Sequence, residues 1–230
     1  MKNILSEKPA EKLYGRLRAS VDFVADADLK NKKVLDIGCG YGWCEINFLK
    51  RGAKSITAME VSEEDLNTAK KNLDENQLQF AVGSATAIPF PDNTFDTAVA
   101  WEVIEHIPKN QEVKMFAETC RVLKPKGIFY LSTPNRNFFA NIFDPAWWLI
   151  GHRHYSKKDL TDHAEKNFFE VEKAAIRGGW WTLFGILNLY FFKWILRRKR
   201  MWEGFFLKKE DEEFKKESGF VNIFIKFRKI

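Results

Sequence analysis

In residues 1–135, short apolar runs alternate with segments in which every third or fourth residue is apolar. This alternation predicts a sheet flanked by helices. Short apolar runs, typical of buried strands, occur at 32–37, 54–60, 78–82, 95–103 and 127–133. Apolar residues spaced three to four positions apart, typical of amphipathic helices, occur at 11–29, 43–51, 62–75 and 111–123. Strands that alternate with helices in this way are typical of a parallel, doubly wound sheet.

The pattern changes after residue 135, where the regular alternation stops. A helix is predicted at 156–167, because Ser156 is a good N-cap in front of a periodic segment. Segments 168–176 and 220–228 alternate as strands do, and an apolar insertion separates them. We therefore predict an α/β fold, with a doubly wound, mostly parallel seven-stranded sheet and a hydrophobic helical insertion before the last strand.

Composition and charge narrow the class of protein. A chain of 230 residues that is 45% hydrophobic suits one domain. The net charge of +6 is a mild basic bias, which does not by itself indicate nucleic acid. The three cysteines form no metal-ligand spacing and suit a reducing compartment. Residues 1–7 contain no long apolar core, so we expect no signal peptide and a cytoplasmic location.

The first predicted strand runs into a glycine-rich turn, VLDIGCGYG at 34–42. Glycine permits positive φ and close approach of a ligand, and a helix N-terminus that follows such a turn offers free N–H groups. Glu60 ends the second strand about 20 residues further on, where an acid can accept hydrogen bonds from ribose hydroxyls. Together they predict a nucleotide-type cofactor; a turn needed only for packing and a solvated acid are the alternatives.

Five segments, in this order, resemble the class I S-adenosylmethionine-dependent methyltransferases. They are VLDIGCGYG at 34–42, AMEVS at 58–62, GSATAIPFPDNTFD at 83–96, WEVIEHI at 101–107 and RVLKPKG at 121–127. The resemblance is strongest to the small-molecule branch that includes the ubiquinone and menaquinone biosynthesis methyltransferases. It covers roughly 32–135, extends weakly to 178, and implies a Rossmann-like class I methyltransferase fold with S-adenosylmethionine as cofactor.

The resemblance also implies which residues bind the cofactor: Asp36, Gly38, Cys39, Gly40, Gly42, Glu60, Val61, Ser84, Ala85 and Trp101. Asp36 would orient the methionine amino group, and Glu60 would bind the ribose hydroxyls with Val61 beside the adenine. Ser84 and Ala85 would meet the adenine edge. Ser84 departs from the family pattern, which commonly has aspartate there, so its hydrogen bond to the adenine amine would carry no charge.

Polar residues just past the fourth strand are the candidates for catalysis. Methyl transfer from a sulfonium is an in-line displacement in which the protein supplies positioning and sometimes a base. His106, Glu105 and Glu102 would lie beside the methyl group, and a histidine titrates in the range suited to accepting a hydroxyl proton. The alternatives are a structural histidine and acids that are solvated, or that bind substrate or a divalent ion.

A second polar cluster, His152, Arg153, His154 and Tyr155, is a candidate for acceptor binding. Arg153 could hold an anionic group through a forked pair of hydrogen bonds. The two histidines also suggest a metal, but no third nitrogen or sulfur ligand has convincing spacing. We therefore predict no metal site.

The insertion contains a nearly continuous apolar segment at 180–196, followed by the basic run RRKRMW at 197–202. The apolar segment is shorter than the ~20 residues of a spanning helix, and Asn188 and Lys193 interrupt it. An aromatic helix that ends in cations suits a membrane surface. A lid over the acceptor, a dimer interface and added core are the alternatives, and the oligomeric state stays open.

The sequence thus favours a methyltransferase that acts on a small or lipid-linked acceptor, at oxygen, in the cytoplasm or peripherally on the inner face of the membrane. An RNA methyltransferase is an alternative, but no RNA-binding module is visible and we expect no nucleic acid partner. A non-catalytic protein on the same fold is another. Within a single domain at 1–230 we expect these parts: a helical extension at 1–31, a cofactor-binding core at 32–135, an acceptor-side segment at 136–178, an insertion at 179–219 and the last strand at 220–230.

Overall fold

The computed structural model describes residues 9, 12–73, 76–198 and 201–230. The predicted extension at 1–31, the end of the predicted helix at 62–75 and the basic run at 197–202 lie partly outside these residues. The strands of the sheet are β1 Lys33–Ile37, β2 Ser55–Glu60, β3 Leu78–Val82, β4 Phe95–Trp101, β5 Leu123–Pro134, β6 Phe169–Arg177 and β7 Asn222–Lys229.

The sheet has seven strands in the order β3-β2-β1-β4-β5-β7-β6. Strands β1 to β5 run parallel to one another. Strand β7 lies between β5 and β6 and is antiparallel to both. The prediction of a mostly parallel, doubly wound sheet is confirmed, and the carboxyl ends of β1, β2 and β4 meet at one edge, where ligands bind in such sheets.

The α-helices connect the strands and build the insertion. They are α1 Gly15–Phe23, α2 Glu45–Lys50, α3 Glu63–Asn72, α4 Glu112–Val122, α5 Phe138–Phe143, α6 Pro145–Ile150, α7 Lys157–Glu165, α8 Trp180–Tyr190 and α9 Glu203–Phe214. Helices α8 and α9 lie between β6 and β7, where the sequence predicts the helical insertion. A single π-helical turn, Phe191–Ile195, continues α8.

Two helix starts follow from their capping residues. The Ser62 side chain accepts a hydrogen bond from Asp65 N at the start of α3. At the start of α7, the Ser156 side chain accepts from Asp159 N, and the Asp159 carboxylate accepts from Ser156 N at 2.7 Å. This is a complete capping box, which satisfies two backbone donors at once.

Three of the boundaries that differ from the predictions have local reasons. The helix predicted at 11–29 is α-helical only over α1, because Val24 has extended dihedrals and a short 3-10 turn follows. Strand β4 ends at Trp101, two residues early, because Glu102 has φ of 57° and cannot continue a strand. Strand β5 begins at Leu123, directly after α4, and not at the predicted residue 127.

The core occupies both faces of the sheet. On one face, fully buried aromatic rings of α4, β5, β6 and β7 pack edge-to-face, tilted or stacked: Phe116, Phe129, Phe169 and Phe227. On the other face, Phe48, Tyr130 and Phe224 are fully buried. Each such ring contributes about 1.5–3 kcal/mol when removed from water, so the sheet supplies a rigid base for the residues at its edge.

The insertion is tied to the rest of the domain through polar contacts. The Glu213 carboxylate of α9 accepts hydrogen bonds from Gly179 N, Trp181 N and Thr182 N, each at 2.9 Å, and so caps α8. Asp211 accepts from Arg18 and from Gly15 N in α1. Among the described residues, we find no helix with both the length and the apolar character needed to cross a membrane.

Candidate active site

The glycine-rich turn after β1 is hydrogen-bonded to the end of β2. Gly40 N donates to Glu60 Oε1 at 3.2 Å, and Val61 N donates to Glu60 Oε2 at 2.8 Å. Gly38 N and Cys39 N both donate to Met59 O. The carboxylate of Glu60 is thereby held at the edge of the sheet, beside the turn.

The glycines of the turn serve different purposes. Gly38 has φ of +78°, and a Cβ added there would come within 2.6 Å of Val103 Cγ2. A Cβ on Gly42 would come within 2.4 Å of Leu73 Cδ1. Gly40 has φ of +56°, but an added Cβ would meet nothing within 4 Å. Gly38 and Gly42 therefore permit close packing, whereas Gly40 faces open space where a ligand can approach the backbone.

A buried carboxylate lies under this turn. Asp36 is 1% exposed, accepts a hydrogen bond from Cys44 Sγ at 3.1 Å through Oδ2, and has no partner for Oδ1 within the described chain. Burial raises the pKa of Asp36 to about 6, the charge of Glu60 adds to the rise, and hydrogen bonds from Cys44 and Glu45 oppose it. Oδ1 is the oxygen of Asp36 that no backbone N–H or thiol of the described residues engages.

Cys44 and Glu45 belong to this group, and the sequence reasoning missed them. Both are fully buried at the start of α2. Burial, and then the charge of Asp36, raises the pKa of Glu45 well above its usual range. An acid in the first turn of the helix that follows the glycine turn was the available signal.

Three further predicted cofactor residues, Glu60, Val61 and Ser84, lie at or after the ends of β2 and β3. Burial raises the pKa of Glu60, although the two backbone N–H groups oppose the rise. Val61 follows with 69% of its surface exposed. The Ser84 hydroxyl lies 2.9 Å from Thr86 Oγ1 and accepts from Thr86 N at 3.2 Å, so it is partly used within its own turn.

Other predicted cofactor residues lie in the protein interior. Ala85 and Trp101 are 7% and 6% exposed, and the Trp101 indole nitrogen has no hydrogen-bond partner among the residues described. Cys39 is 1% exposed, and burial raises the pKa of its thiol. These residues support the edge from beneath. The open Gly40, the unpaired Asp36 Oδ1 and the Glu60 carboxylate fit the amino group and ribose of S-adenosylmethionine.

The acids past β4 differ in how they are held. Glu102 contacts Ser132 Oγ at 2.6 Å, Asn222 Nδ2 at 2.9 Å and Arg16 at 2.6 Å, so both of its oxygens are engaged. Glu105 accepts from Thr133 Oγ1 at 2.9 Å through Oε2, while its buried Oε1 has no partner within the part of the chain that is described. Burial, and then the charge of Glu102, raises the pKa of Glu105 well above its usual range.

His106 is the most accessible group of this stretch. Its Nε2 lies 3.2 Å from His152 Nε2, so the structure brings together one candidate from each predicted cluster. Partial desolvation, and then the charges of His152 and Arg153, lowers the pKa of His106. Glu102 partly offsets that fall.

The extended segment 152–155 points its side chains alternately to two sides. His152 and His154 line a cavity of about 310 Å³. Arg153 pairs with Glu112 and with the backbone carbonyls of 104, 105 and 107, and the Tyr155 hydroxyl donates to the Glu112 carboxylate at 3.0 Å. Neither Arg153 nor Tyr155 lines the cavity, so the four predicted residues do not form one group.

The cavity joins polar residues to an apolar wall. Its polar lining includes Asp144, His152 and Glu102, and α8 contributes apolar side chains, among them Leu183, Ile186 and Leu189. Asp144 was missed because aspartate before Pro145 reads as an ordinary helix cap. Burial alone would raise the pKa of Asp144, but hydrogen bonds from His152, His154 and Ala146 N outweigh it and hold the pKa well below its usual range.

Proteins with similar sequences are methyltransferases. Residues 34–127 match the family described as "Methyltransferase domain". The chain is 37% identical over 119 residues to a ubiquinone biosynthesis O-methyltransferase of Azoarcus sp. (strain BH72), covering 50% of this chain and 49% of the relative. A protein of the same description from Pelagibacter ubique (strain HTCC1062) is 28% identical over 162 residues, covering 65% and 66%.

A solved structure shows the fold over nearly the whole chain. The S-adenosylmethionine-dependent methyltransferase of Mesorhizobium loti superposes with a TM-score of 0.62 at 15% identity, covering 93% of this chain and 95% of that one. The chain spans about half the length of the first curated relatives that it matches. Residues 34–127 are therefore similar to a methyltransferase domain, and the chain has the fold of S-adenosylmethionine-dependent methyltransferases.

Proposed function

We propose that this protein transfers the methyl group of S-adenosylmethionine to an oxygen of a lipophilic small-molecule or lipid-linked acceptor. The observation that carries the proposal is the position of the cavity. Its polar side reaches Glu102 at the end of β4, and its other side is the apolar face of α8. The reacting group of an acceptor would lie against the polar side and its lipophilic part along α8.

The cofactor would lie across the carboxyl ends of β1 and β2. Asp36 Oδ1, buried and unpaired within the described residues, would accept a hydrogen bond from the methionine amino group. Glu60, fixed by two backbone N–H groups, retains lone pairs for the ribose hydroxyls. Gly40 leaves room for the cofactor against the backbone, and exposed Val61 would cover one face of the adenine.

The chain's own residues would position the acceptor and take up its proton. When bound, S-adenosylmethionine supplies an electrophilic methyl group, and the acceptor oxygen displaces the thioether in line. His106, which lies beside the cavity in contact with the cavity-lining His152, would accept the hydroxyl proton. Glu102 would help to position the acceptor and would not take up its proton, because Ser132, Asn222 and Arg16 already engage its carboxylate.

A surface of neighbouring aromatic rings on α5 and on the insertion would meet a membrane that holds the acceptor. We call it the aromatic face; its rings, with centroids 5.0–6.2 Å apart in successive pairs, are Phe138, Phe139, Trp180, Phe184, Trp181 and Phe205. Each of these side chains is classed as exposed. The exposed Arg197 and Arg198 supply cations that would attract anionic lipid.

The test measures transfer of labelled methyl from S-adenosylmethionine to a panel of acceptors. The panel contains hydroxylated isoprenoid quinone precursors and polyprenyl-linked sugars in anionic vesicles, a water-soluble phenol, and RNA. We expect transfer to a vesicle-borne hydroxyl acceptor. Transfer to RNA alone, or tight cofactor binding with no transfer to any member of the panel, would contradict the proposal.

A pair of variants tests the role of the cavity. Ile186→Glu places a charge in the apolar wall and should raise the acceptor KM at least about tenfold, because burying an unpaired carboxylate is costly. Affinity for S-adenosylhomocysteine should stay unchanged. Val113→Glu places the same charge on an exposed position of α4 outside the cavity and should leave both quantities unchanged.

A further inference from the structure

Two of the four histidines of the chain face a single carboxylate at the wall of the cavity. His154 Nε2 lies 2.9 Å from Asp144 Oδ2, and His152 Nδ1 lies 3.6 Å from the same oxygen. The three ligand atoms all lie within 4.8 Å of one another. Two imidazole nitrogens and one carboxylate oxygen are the donor set of many three-ligand transition-metal sites.

The spacing of these atoms suits a metal ion. Bonds of about 2.0–2.1 Å in a tetrahedral site place neighbouring ligand atoms about 3.3 Å apart. The two contacts of Asp144 Oδ2, at 2.9 Å and 3.6 Å, lie on either side of that value. All three ligand atoms lie within 4.8 Å of one another, so the two imidazoles would have to move closer together to share one ion.

Each of the three side chains has a second polar atom that does not face the site. That second atom contacts another group of the protein, and the contact orients the ligand atom toward the site. Asp144 Oδ1 accepts from Ala146 N at 2.9 Å, which leaves Oδ2 for the site. His154 Nδ1 lies 2.8 Å from Asn141 Oδ1, and His152 Nε2 lies 3.2 Å from His106 Nε2. Such outer contacts orient the ligands of metal sites.

His154 gives an independent indication. Its ring is 1% exposed and has an oxygen next to each nitrogen, Asn141 Oδ1 on one side and Asp144 Oδ2 on the other. A neutral ring that donates from Nδ1 to Asn141 Oδ1 turns the lone pair of Nε2 toward Asp144 Oδ2, as a metal ligand would require. A cation between His154 Nε2 and Asp144 Oδ2 satisfies both atoms, and it also gives a bond to the buried His152 Nδ1, whose contact with Asp144 Oδ2 at 3.6 Å is long for a hydrogen bond.

A second triad, Glu105, His106 and His152, lies on the other side of the His152 ring. It is less well formed, because Glu105 Oε1 is 3.9 Å from His152 Nε2 and the His106 side chain is exposed. We propose that Asp144, His152 and His154 bind a divalent transition-metal ion of the zinc class, with the open coordination position directed into the cavity. There the ion would hold an oxygen of the acceptor.

Metal binding is tested without methyl transfer. The full chain is freed of metal with a chelator and titrated with Co²⁺, whose visible absorption reports its coordination. We expect one Co²⁺ per chain with absorption typical of nitrogen and oxygen ligands, and its displacement by Zn²⁺. Absence of a saturable site would overturn the proposal, and unchanged S-adenosylhomocysteine binding in the same sample would show that the proposed cofactor site had not failed with it.

The variants Asp144→Asn and His152→Gln should each weaken Co²⁺ binding at least about 100-fold, because each removes a direct ligand. His163→Gln changes the histidine that takes part in neither triad and should bind as the parent does. Since Asp144 also caps α6, thermal melting and S-adenosylhomocysteine binding confirm that each variant is folded. Unchanged Co²⁺ binding in either ligand variant, or loss in Glu105→Gln with retention in Asp144→Asn, would overturn the assignment.

Discussion

Around Asp36 and Glu60, the polar groups come from the ends of neighbouring strands, whereas around Asp144 they come from the turns and short helices that follow β5. In the first region, backbone N–H groups hold the carboxylate of Glu60, and the glycine turn fits against side chains of the core. In the second, side chains hold one another, as His154 does between Asn141 and Asp144.

This difference indicates which features can change independently. An edge built from backbone groups of a parallel sheet is fixed by the fold and suits a ligand common to a family. A cavity built from side chains of an insertion can change its ligand while the sheet stays the same. The matched family covers residues 34–127, which contain the first region and none of 136–219.

The largest expected effect is on stability, at the glycine turn. Gly38→Ala places a Cβ 2.6 Å from Val103 Cγ2 at a φ of +78°. Left-handed backbone costs about 1–3 kcal/mol and overpacking about 1–3 kcal/mol, so the free energy of unfolding should fall by about 2–6 kcal/mol. Denaturant unfolding followed by circular dichroism measures it.

Gly204→Ala is the matched change in the insertion. An added Cβ there meets nothing within 4 Å, and the residue lies in α9, so alanine should raise stability by up to about 1 kcal/mol. An equal fall in the free energy of unfolding of Gly38→Ala and Gly204→Ala would mean that the glycine turn is packed no more tightly than the insertion.

The second effect is on cofactor affinity. Glu60→Ala should weaken S-adenosylhomocysteine binding by about 1–3 kcal/mol, or about 5- to 150-fold, because it removes the proposed partner of the ribose hydroxyls. Isothermal titration calorimetry measures the change. Glu60→Gln keeps one acceptor oxygen and should lose less.

Two control variants show whether the loss of cofactor affinity is specific to the edge around Asp36 and Glu60. Glu63→Ala removes an exposed acid three residues away and should leave the affinity unchanged. Asp144→Asn changes the other region and should also leave it unchanged. An equal loss in Asp144→Asn would show that the two regions are not independent.

The third effect is a pH dependence of the same affinity. The pKa of Asp36 is about 6 without ligand, because burial disfavours its charged form. A cationic amino group favours that charged form, so binding should release a proton and strengthen as pH rises. From pH 5 to pH 7 the affinity should increase about tenfold.

Asp36→Asn removes the titrating carboxylate and should give a weaker, flatter profile over the same range. Calorimetry in buffers of different ionisation enthalpy counts the protons released. A parent profile as flat as that of Asp36→Asn would mean that Asp36 does not contact the amino group.

Sequence reasoning succeeded where the physical rule is local or is general to parallel sheets. The N-caps Ser62 and Ser156 were visible because capping depends on residues within one turn. The meeting of Glu60 with the glycine turn was predictable because the ends of neighbouring parallel strands share an edge. The order of the elements likewise followed from the alternation of apolar periods.

Contacts between distant segments were not predictable in this way. The distance between His106 and His152 depends on how α5 and α6 return the chain to the sheet, and no local pattern encodes it. The same holds for Asp144, whose sequence context predicts only a cap. Residues 152–155 were grouped by proximity, but extended backbone turns Arg153 and Tyr155 away from the cavity.

The smallest expected effect tests the outer surface of the second region. Phe138 is 70% exposed on the aromatic face, and Phe138→Ser should weaken partition of the protein to anionic vesicles about three- to tenfold, because less apolar surface would enter the lipid. Co-sedimentation with vesicles measures the partition. Cofactor affinity should not change, since the substitution leaves the edge of β1 and β2 untouched.

Phe168→Ser is the matched control, because Phe168 is 68% exposed but takes part in none of the ring contacts of the aromatic face. It should partition as the parent does. If Phe138→Ser and Phe168→Ser lose vesicle affinity equally, any exposed phenylalanine contributes to vesicle binding, and the aromatic face has no special role. If neither variant loses affinity for vesicles, the aromatic face does not bind a membrane. It then contacts the acceptor or a second copy of the chain.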